Sequence, residues 1–464
     1  MPDPTNPEDY QVDSTDDLAP LKNVARQEDA SQDWLLTDDA VAETFQENIE
    51  AELDYRSRAE VTAFRENLEH EGLSDDSVWL DDENTDSGEE PFASGAMRKS
   101  QTNVRPPGPG IPEAILWMLV VFGIHVVGML IALVAVMTLQ IVEVSSGGIP
   151  PSPEALQTML LTLPETFPLE LMTIEMLVFL VGAVLATRLR LGSRTSHLLG
   201  IRPLAMNHFL LIAAVSIPIS LMCGGFHQMT TAAWEQWFAH LPGMSLFDQM
   251  NVNENIKPLG ESAPIGLLLL VIAVAPAIGE EVIFRGIIGR GLIARHGVVA
   301  GVLMTSLMFA VVHIHPAHVV ALLPLAFFIH LVYLTTRSIL APMLLHLLNN
   351  SLAVILLKAS ATIPELESAS EPNMPVYVLL ISAGIVMVVG WTLWRSRVQY
   401  RTEDGSLWDP GYPTVEIPPE SVEASISFAR CPTELYRGAV GLAGAYSLVF
   451  IVSLVLMLTG QIPA

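Results

Sequence analysis

The sequence predicts an all-α membrane protein, a polytopic transmembrane helical bundle of about eight or nine spans behind a mostly disordered acidic N-terminal tail. Three observations lead there. Apolar residues make up 51% of the 464 and charged residues only 16%, where soluble domains carry about 25% charged. The apolar residues fall in blocks close to the ~20 residues that a bilayer core requires. Finally, the formal charge of −27 is uneven: residues 1–97 hold 28 Asp/Glu against five Lys/Arg, and the other 367 hold 22 against 18. A single soluble domain is excluded. So are a disulfide-stapled secreted scaffold, because Cys223 and Cys431 are the only cysteines, and a basic nucleic-acid binder. Both cysteines read as free small hydrophobes.

Residues 1–108 form the tail. Positions 1–30 and 70–108 are polar enough to remain disordered, the latter ending in the linker VRPPGPGIP. Between them, Val41, Phe45, Ile49 and Leu53 recur every four residues behind Thr37-Asp38-Asp39, an amphipathic helix with a capping signal. Val61, Phe64 and Leu68 suggest a second short helix. The pair is either a set of marginal helices on a tether or a docking element for a partner or for the protein's own cytoplasmic face. The first residues lack the basic and apolar regions of a cleaved signal peptide, so the first span is expected to direct insertion.

The membrane bundle is expected over 109–400, with spans at 113–143, 169–188, 206–224, 264–283, 298–314, 319–336, 339–357 and 376–394. A linker over 401–435 then leads to a last span within 436–464, at 437–459. Nine is the best count. Arg98, Lys99 and Arg105 precede the first span, Arg188, Arg190, Arg194 and Arg202 follow the second, and Arg290, Arg295, Arg337, Arg395, Arg397 and Arg401 mark later alternate junctions. The opposite junctions are poor in Lys and Arg. This positive-inside bias predicts an inner-membrane protein with a cytoplasmic N terminus and, for nine spans, a C terminus outside. The aromatic stretch within 225–263 is expected to be an interfacial loop anchored by Trp and Phe.

Ionisable residues inside such blocks are informative, since a charge at the bilayer centre costs at least about 2.5–3.5 kcal/mol. Three polar sites stand out. In GEEVIFRG, Glu281 and Arg285 share a helix face one turn apart, while Glu280 is rotated by about 100° and left without that partner. Phe309 and His313 are likewise one turn apart, just before the helix-interrupting Pro316. His346 and Asn350 repeat the spacing, with Asn349 pointing elsewhere. His315 and His318 read as ordinary hydrogen-bonded residues, and each of the three sites taken alone fits a cap, a core imidazole or a helix-packing amide. Three within 71 residues of membrane sequence favour catalysis or transport over packing.

Peptide hydrolysis needs an activated water, a stabilised oxyanion and a proton for the leaving amine. Glu280, His313, His346 and Asn350 meet that inventory without a nucleophilic Ser or Cys. Zinc is the metal that would suit Glu280, His313 and His346 as an open two-His, one-carboxylate site, although no HExxH is present.

In this order, EExxxR (Glu280, Glu281, Arg285), FxxxH (Phe309, His313) and HxxxN (His346, Asn350) resemble the CPBP family of intramembrane proteases. That family includes the type II CAAX prenyl endopeptidases and the bacteriocin-processing, Abi-like proteins. The resemblance covers about residues 200–360. It implies a membrane endopeptidase, labelled a metalloprotease in much of the family, in which Glu280 and His313 activate water. His346 and Asn350 would then form the oxyanion site, with Glu281, Arg285 and Phe309 in support. A membrane protein or membrane-associated peptide would be the substrate and the lipid bilayer the medium, with no role for nucleic acid. The other readings are a non-catalytic immunity or scaffold protein of the same fold and a proton-coupled transporter; no inverted repeat supports the latter.

Overall fold

The computed structural model describes residues 108–146, 151–244, 246–247, 251–362, 374–408, 415–420, 422–459 and 461. The helices expected at 37–53 and 61–68, and the disorder expected in the tail, fall outside these residues. The described chain is almost entirely helical. Its elements are α1 (Ile111–Ser145), α2 (Pro153–Thr166), α3 (Pro168–Leu191), α4 (Thr195–Leu199), α5 (Met206–Trp237), α6 (Val252–Ser262), α7 (Ile265–Val311), α8 (Pro316–Thr336), α9 (Leu340–Thr362), α10 (Val376–Arg395) and α11 (Thr433–Leu458). Eight of them are long and apolar enough to cross a membrane.

Their ends follow from local chemistry. Ser152 caps α2 by accepting from the Ala155 N–H at 3.2 Å, and Arg188 and Arg190 lie in the last turn of α3, where the helix dipole favours cations. α5, α7 and α8 are the most enclosed spans, whereas α1 and α11 expose most of their apolar side chains, as lipid-facing helices should. Two cores result. One joins α5, α8, α10 and α11 through Ile212, Ile219, Ile329, Val389 and Ala443. The other joins α1, α3, α7 and α8 through Phe179, Phe284, Phe309 and Tyr333.

The spans expected at 264–283 and 298–314 are two arms of α7. The chain breaks at Gly297, whose φ 77° and ψ 169° lie in a region that only glycine adopts readily. A Cβ on Gly301 would lie 2.6 Å from Ile293 Cα, whereas residues eight apart in a straight helix are about 12 Å apart. The second arm therefore runs back along the first. Replacing Gly297 with Ala should destabilise the protein by about 1–3 kcal/mol, read as a lower melting temperature in detergent; an unchanged melting temperature would mean that the reversal does not depend on this glycine.

Two expectations for the connecting segments are corrected. Helix α5 continues to Trp237, well past the expected loop start at 225, because nothing in FHQMTTAAWEQW breaks a helix and Trp234 gains burial by packing against Phe238, Phe247 and His315. Trp234 is thus a core residue rather than an interface anchor. The segment expected as a plain linker over 401–435 holds β2 (Ala424–Phe428), which pairs antiparallel with β1 (Val398–Thr402) at its start, with Tyr400 opposite Ile426. Downstream of β1, Val415 inserts among Leu199, Tyr333 and Ile339, and Glu416 pairs with Arg290 in a buried contact. Arg202 donates to the Arg337 carbonyl at 3.1 Å, and the Arg337 guanidinium lies 5.1 Å from the Tyr400 ring. The basic junctions thereby gather at one end of the bundle. Both cysteines are free thiols.

Candidate active site

The first arm of α7 is not a uniform helix. Two π-helical segments, Leu269–Val274 and Phe284–Gly289, flank an α-helical stretch, Ala275–Ile283, that carries both glutamates. Such widened turns are frequent at functional sites because they free backbone groups and re-aim side chains. Just before Glu280, Gly279 permits close packing, since a Cβ there would sit 2.6 Å from the Phe179 ring.

Glu281 and Arg285 form the expected one-turn ion pair. Oε1 and Nη1 are 3.0 Å apart, and both side chains are fully buried. Arg285 also donates to the Ala326 carbonyl at 3.1 Å, and its guanidinium lies 4.3 Å from the centroid of Phe309. The same Glu281 Oε1 lies 2.8 Å from His346 Nδ1. The first and third motifs are therefore joined directly, through a contact that no sequence spacing encodes.

Phe309 is the hub for the rest. Its ring centroid is 5.5 Å from that of His313 and 5.9 Å from that of His346. His313 Nδ1 is 3.1 Å from the Phe309 carbonyl. A carbonyl can only accept, so this nitrogen carries a proton, and Nε2 is left as the open edge of the ring. Pairing with the Glu281 carboxylate fixes His346 in the same way, with Nε2 free. Beyond His313 the chain turns at Ile314, which has φ +63°, and the His315 N–H reaches the His313 carbonyl at 2.7 Å. A β-branched residue held there costs about 1–3 kcal/mol. The helix end expected before Pro316 is present, and it is strained.

Glu280 is half-buried, and its Oε2 is buried without a hydrogen-bond partner among the described residues. Asn350 donates to the Ile272 carbonyl in the first π segment at 2.9 Å, which leaves its second N–H unspent. Its Oδ1 accepts from Asn349 at 3.0 Å, and Asn349 in turn accepts from Ser220 at 2.7 Å. This relay from α5 sets the orientation of the Asn350 amide.

The donors do not form a metal centre. Among the described residues, no group of three or more His, Cys, Asp or Glu could hold a metal ion. His313 and His346 engage a carbonyl and a carboxylate through Nδ1, which leaves Nε2 of each ring open.

Residues 262–352, a fifth of the chain, match the family model described as Type II CAAX prenyl endopeptidase Rce1-like. All seven residues of the three motifs lie within that match. No curated protein and no solved structure matches the chain.

The structure adds polar groups that sequence reasoning overlooked. His227 on α5 meets His318 with ring centroids 4.6 Å apart, and His318 lies 5.1 Å from His315. His125 on α1 pairs with Glu175 on α3 and stacks on Phe179 at 4.2 Å, behind Gly279. His330 on α8 is fully buried, with Nδ1 and Nε2 both lacking a hydrogen-bond partner among the described residues; a Cβ on Gly289 would lie 2.9 Å from its ring. His125 and Glu175 could have been found as ionisable residues inside apolar blocks. His330 carried the same signal, inside the apolar run LAFFIHLVYL, whereas His227, in a stretch read as a loop, gave none.

Proposed function

We propose that the chain is an intramembrane endopeptidase that hydrolyses a peptide bond of a membrane protein or membrane-associated peptide by glutamate/histidine-activated water. The supporting observation is the single cluster in which Glu281, Arg285, Phe309, His313 and His346 meet, drawn from all three motifs and from both arms of α7 and α9. In this reading, a water held between the Glu280 carboxylate and His313 Nε2 gives up a proton to Glu280 and attacks the scissile carbonyl carbon. The carbonyl π pair moves onto oxygen. The second N–H of Asn350 stabilises that oxyanion, beside His346, whose ring Glu281 holds through Nδ1. Collapse of the tetrahedral intermediate breaks the C–N bond, and the proton on Glu280 passes to the leaving amine.

The gathering of Arg190, Arg202, Arg290, Arg337 and Arg397 at one end supports placing that end, with the N terminus, on the cytoplasmic side. The reversal of α7 at Gly297 supports a C terminus on the opposite side. His346 is six residues from the start of α9, about 9 Å of helix rise from the basic end. Cleavage is accordingly assigned to the cytoplasmic half of the membrane.

The test is turnover of a membrane-peptide library by the full-length protein in proteoliposomes. Wild type should cleave, and His313→Ala should lose about 10²–10⁴-fold of the rate while keeping its unfolding transition. His313→Ala cutting at the wild-type rate would refute the assignment. Wild type that cleaves nothing but carries protons across the bilayer would point to the transporter instead.

A further inference from the structure

The basic end of the bundle holds two cavities with different charge balance. One, of about 190 Å³, is lined by Gly108, Pro109, Arg190, Arg194 and Arg290. Two of these cations are already neutralised, Arg190 by Glu113 at 3.0 Å and Arg290 by Glu416. The other, of about 350 Å³, lies where α10 meets the end of the ribbon and is lined by Trp391, Trp394, Arg395, Arg397, Ala429 and Arg430. No carboxylate of a described residue pairs with any of its three arginines.

The arginines are arranged to receive an anion. The Arg395 guanidinium sits 6.0 Å from the Trp391 ring centroid and that of Arg397 4.7 Å from Trp394. Stacking occupies the faces of a guanidinium and leaves its N–H edges free, the geometry suited to phosphate oxygens. Arg397 spends only one donor internally, on the Trp394 carbonyl at 3.0 Å. Burial and, second to it, the nearby Arg395 charge lower the pKa of the Arg397 guanidinium from its ordinary value.

The rim indicates what kind of anion fits. Trp391 is 56% exposed and Trp394 44%, in the last two turns of a lipid-facing span. Indoles at that level suit the boundary between headgroups and acyl chains. A free anion would gain nothing from this apolar wall, and an acidic peptide would not need it. A lipid uses both parts.

We propose that the cavity formed by Trp391, Trp394, Arg395, Arg397 and Arg430 is a binding site for the phosphate headgroup of an anionic phospholipid in the leaflet at the basic end of the bundle. It is independent of the hydrolase reading.

Native mass spectrometry of the full-length protein with equal amounts of phosphatidylglycerol and phosphatidylcholine tests this. Wild type should retain phosphatidylglycerol preferentially. The triple variant R395Q/R397Q/R430Q should bind it about 100-fold more weakly, and R395Q or R430Q alone, which keep the fold if the triple does not, about fivefold. R188Q, at the end of α3 outside the cavity, should match wild type. Excess inorganic phosphate should leave the lipid in place. Displacement by phosphate would overturn the proposal in favour of a free-anion site. Equal retention of both lipids by wild type would overturn it in favour of another occupant. Arginine variants that retain phosphatidylglycerol as wild type does would place the lipid elsewhere and also overturn it.

Discussion

Glu280→Gln should abolish peptide hydrolysis and raise the melting temperature at the same time. The substitution keeps the shape of the side chain and removes its ability to take a proton from water, a role that typically carries about 10²–10⁴-fold of rate. The stability half of the prediction comes from the environment. Glu280 Oε2 is buried without a hydrogen-bond partner among the described residues, and an incompletely satisfied buried carboxylate costs more than a neutral amide of the same size. A residue retained for structure would behave in the opposite way. Turnover assays and thermal unfolding of the same two preparations give the answer. Loss of activity together with a lower melting temperature would mean that Glu280 holds the fold, and the assignment of the base would fall.

Glu281→Ala should do the reverse, lowering stability by about 3–5 kcal/mol. Its carboxylate is fully buried, accepts from Arg285 at 3.0 Å and faces His346 Nδ1 at 2.8 Å. Removing it leaves the guanidinium without its ion-pair partner in the centre of the bundle, held by the Ala326 carbonyl, the face of Phe309 and the weaker pull of Glu280. The penalty comes from the stranded cation more than from the lost attraction, so removing both charges should restore much of the loss. Denaturant or thermal unfolding in detergent of Glu281→Ala, and of a double variant Glu281→Gln with Arg285→Met, separates the two contributions. If Glu281→Ala proved no less stable than Glu280→Ala, the division of this acidic pair into a structural and a chemical member would be wrong. Activity should fall in Glu281→Ala too, because His346 loses the group that fixes its proton on Nδ1.

These adjacent glutamates show what one helix turn can encode. Their spacing from Arg285 placed Glu281 beside the guanidinium and Glu280 away from it, and the ion pair follows that rule. Nothing in the spacing placed His346 on the same oxygen, because the two residues are 65 positions apart. Asn349 shows the same limit. Its rotation away from Asn350 was legible, but its bridge to Ser220 on α5 depends on which helix α9 meets. Neither the strain at Ile314 nor the π segments around Ala275–Ile283 leave a compositional trace, since they arise from fitting helix ends and turns against neighbours.

By itself the sequence determined the quantities set by transfer from water to hydrocarbon and by helical periodicity: the apolar blocks, the charge bias between their ends, and the one-turn pairs within EExxxR, FxxxH and HxxxN. Those depend on residues close together in the chain, and the energies involved are large. The tertiary structure alone decided that α7 doubles back at Gly297, that Phe309 collects two imidazoles and a guanidinium, and that α5 continues past 225 to bury Trp234. Inside a bilayer every span is apolar on nearly all sides, so hydrophobicity cannot choose which helices touch. That choice rests on close packing at small residues and on a few buried polar contacts, and these act between positions far apart in the chain.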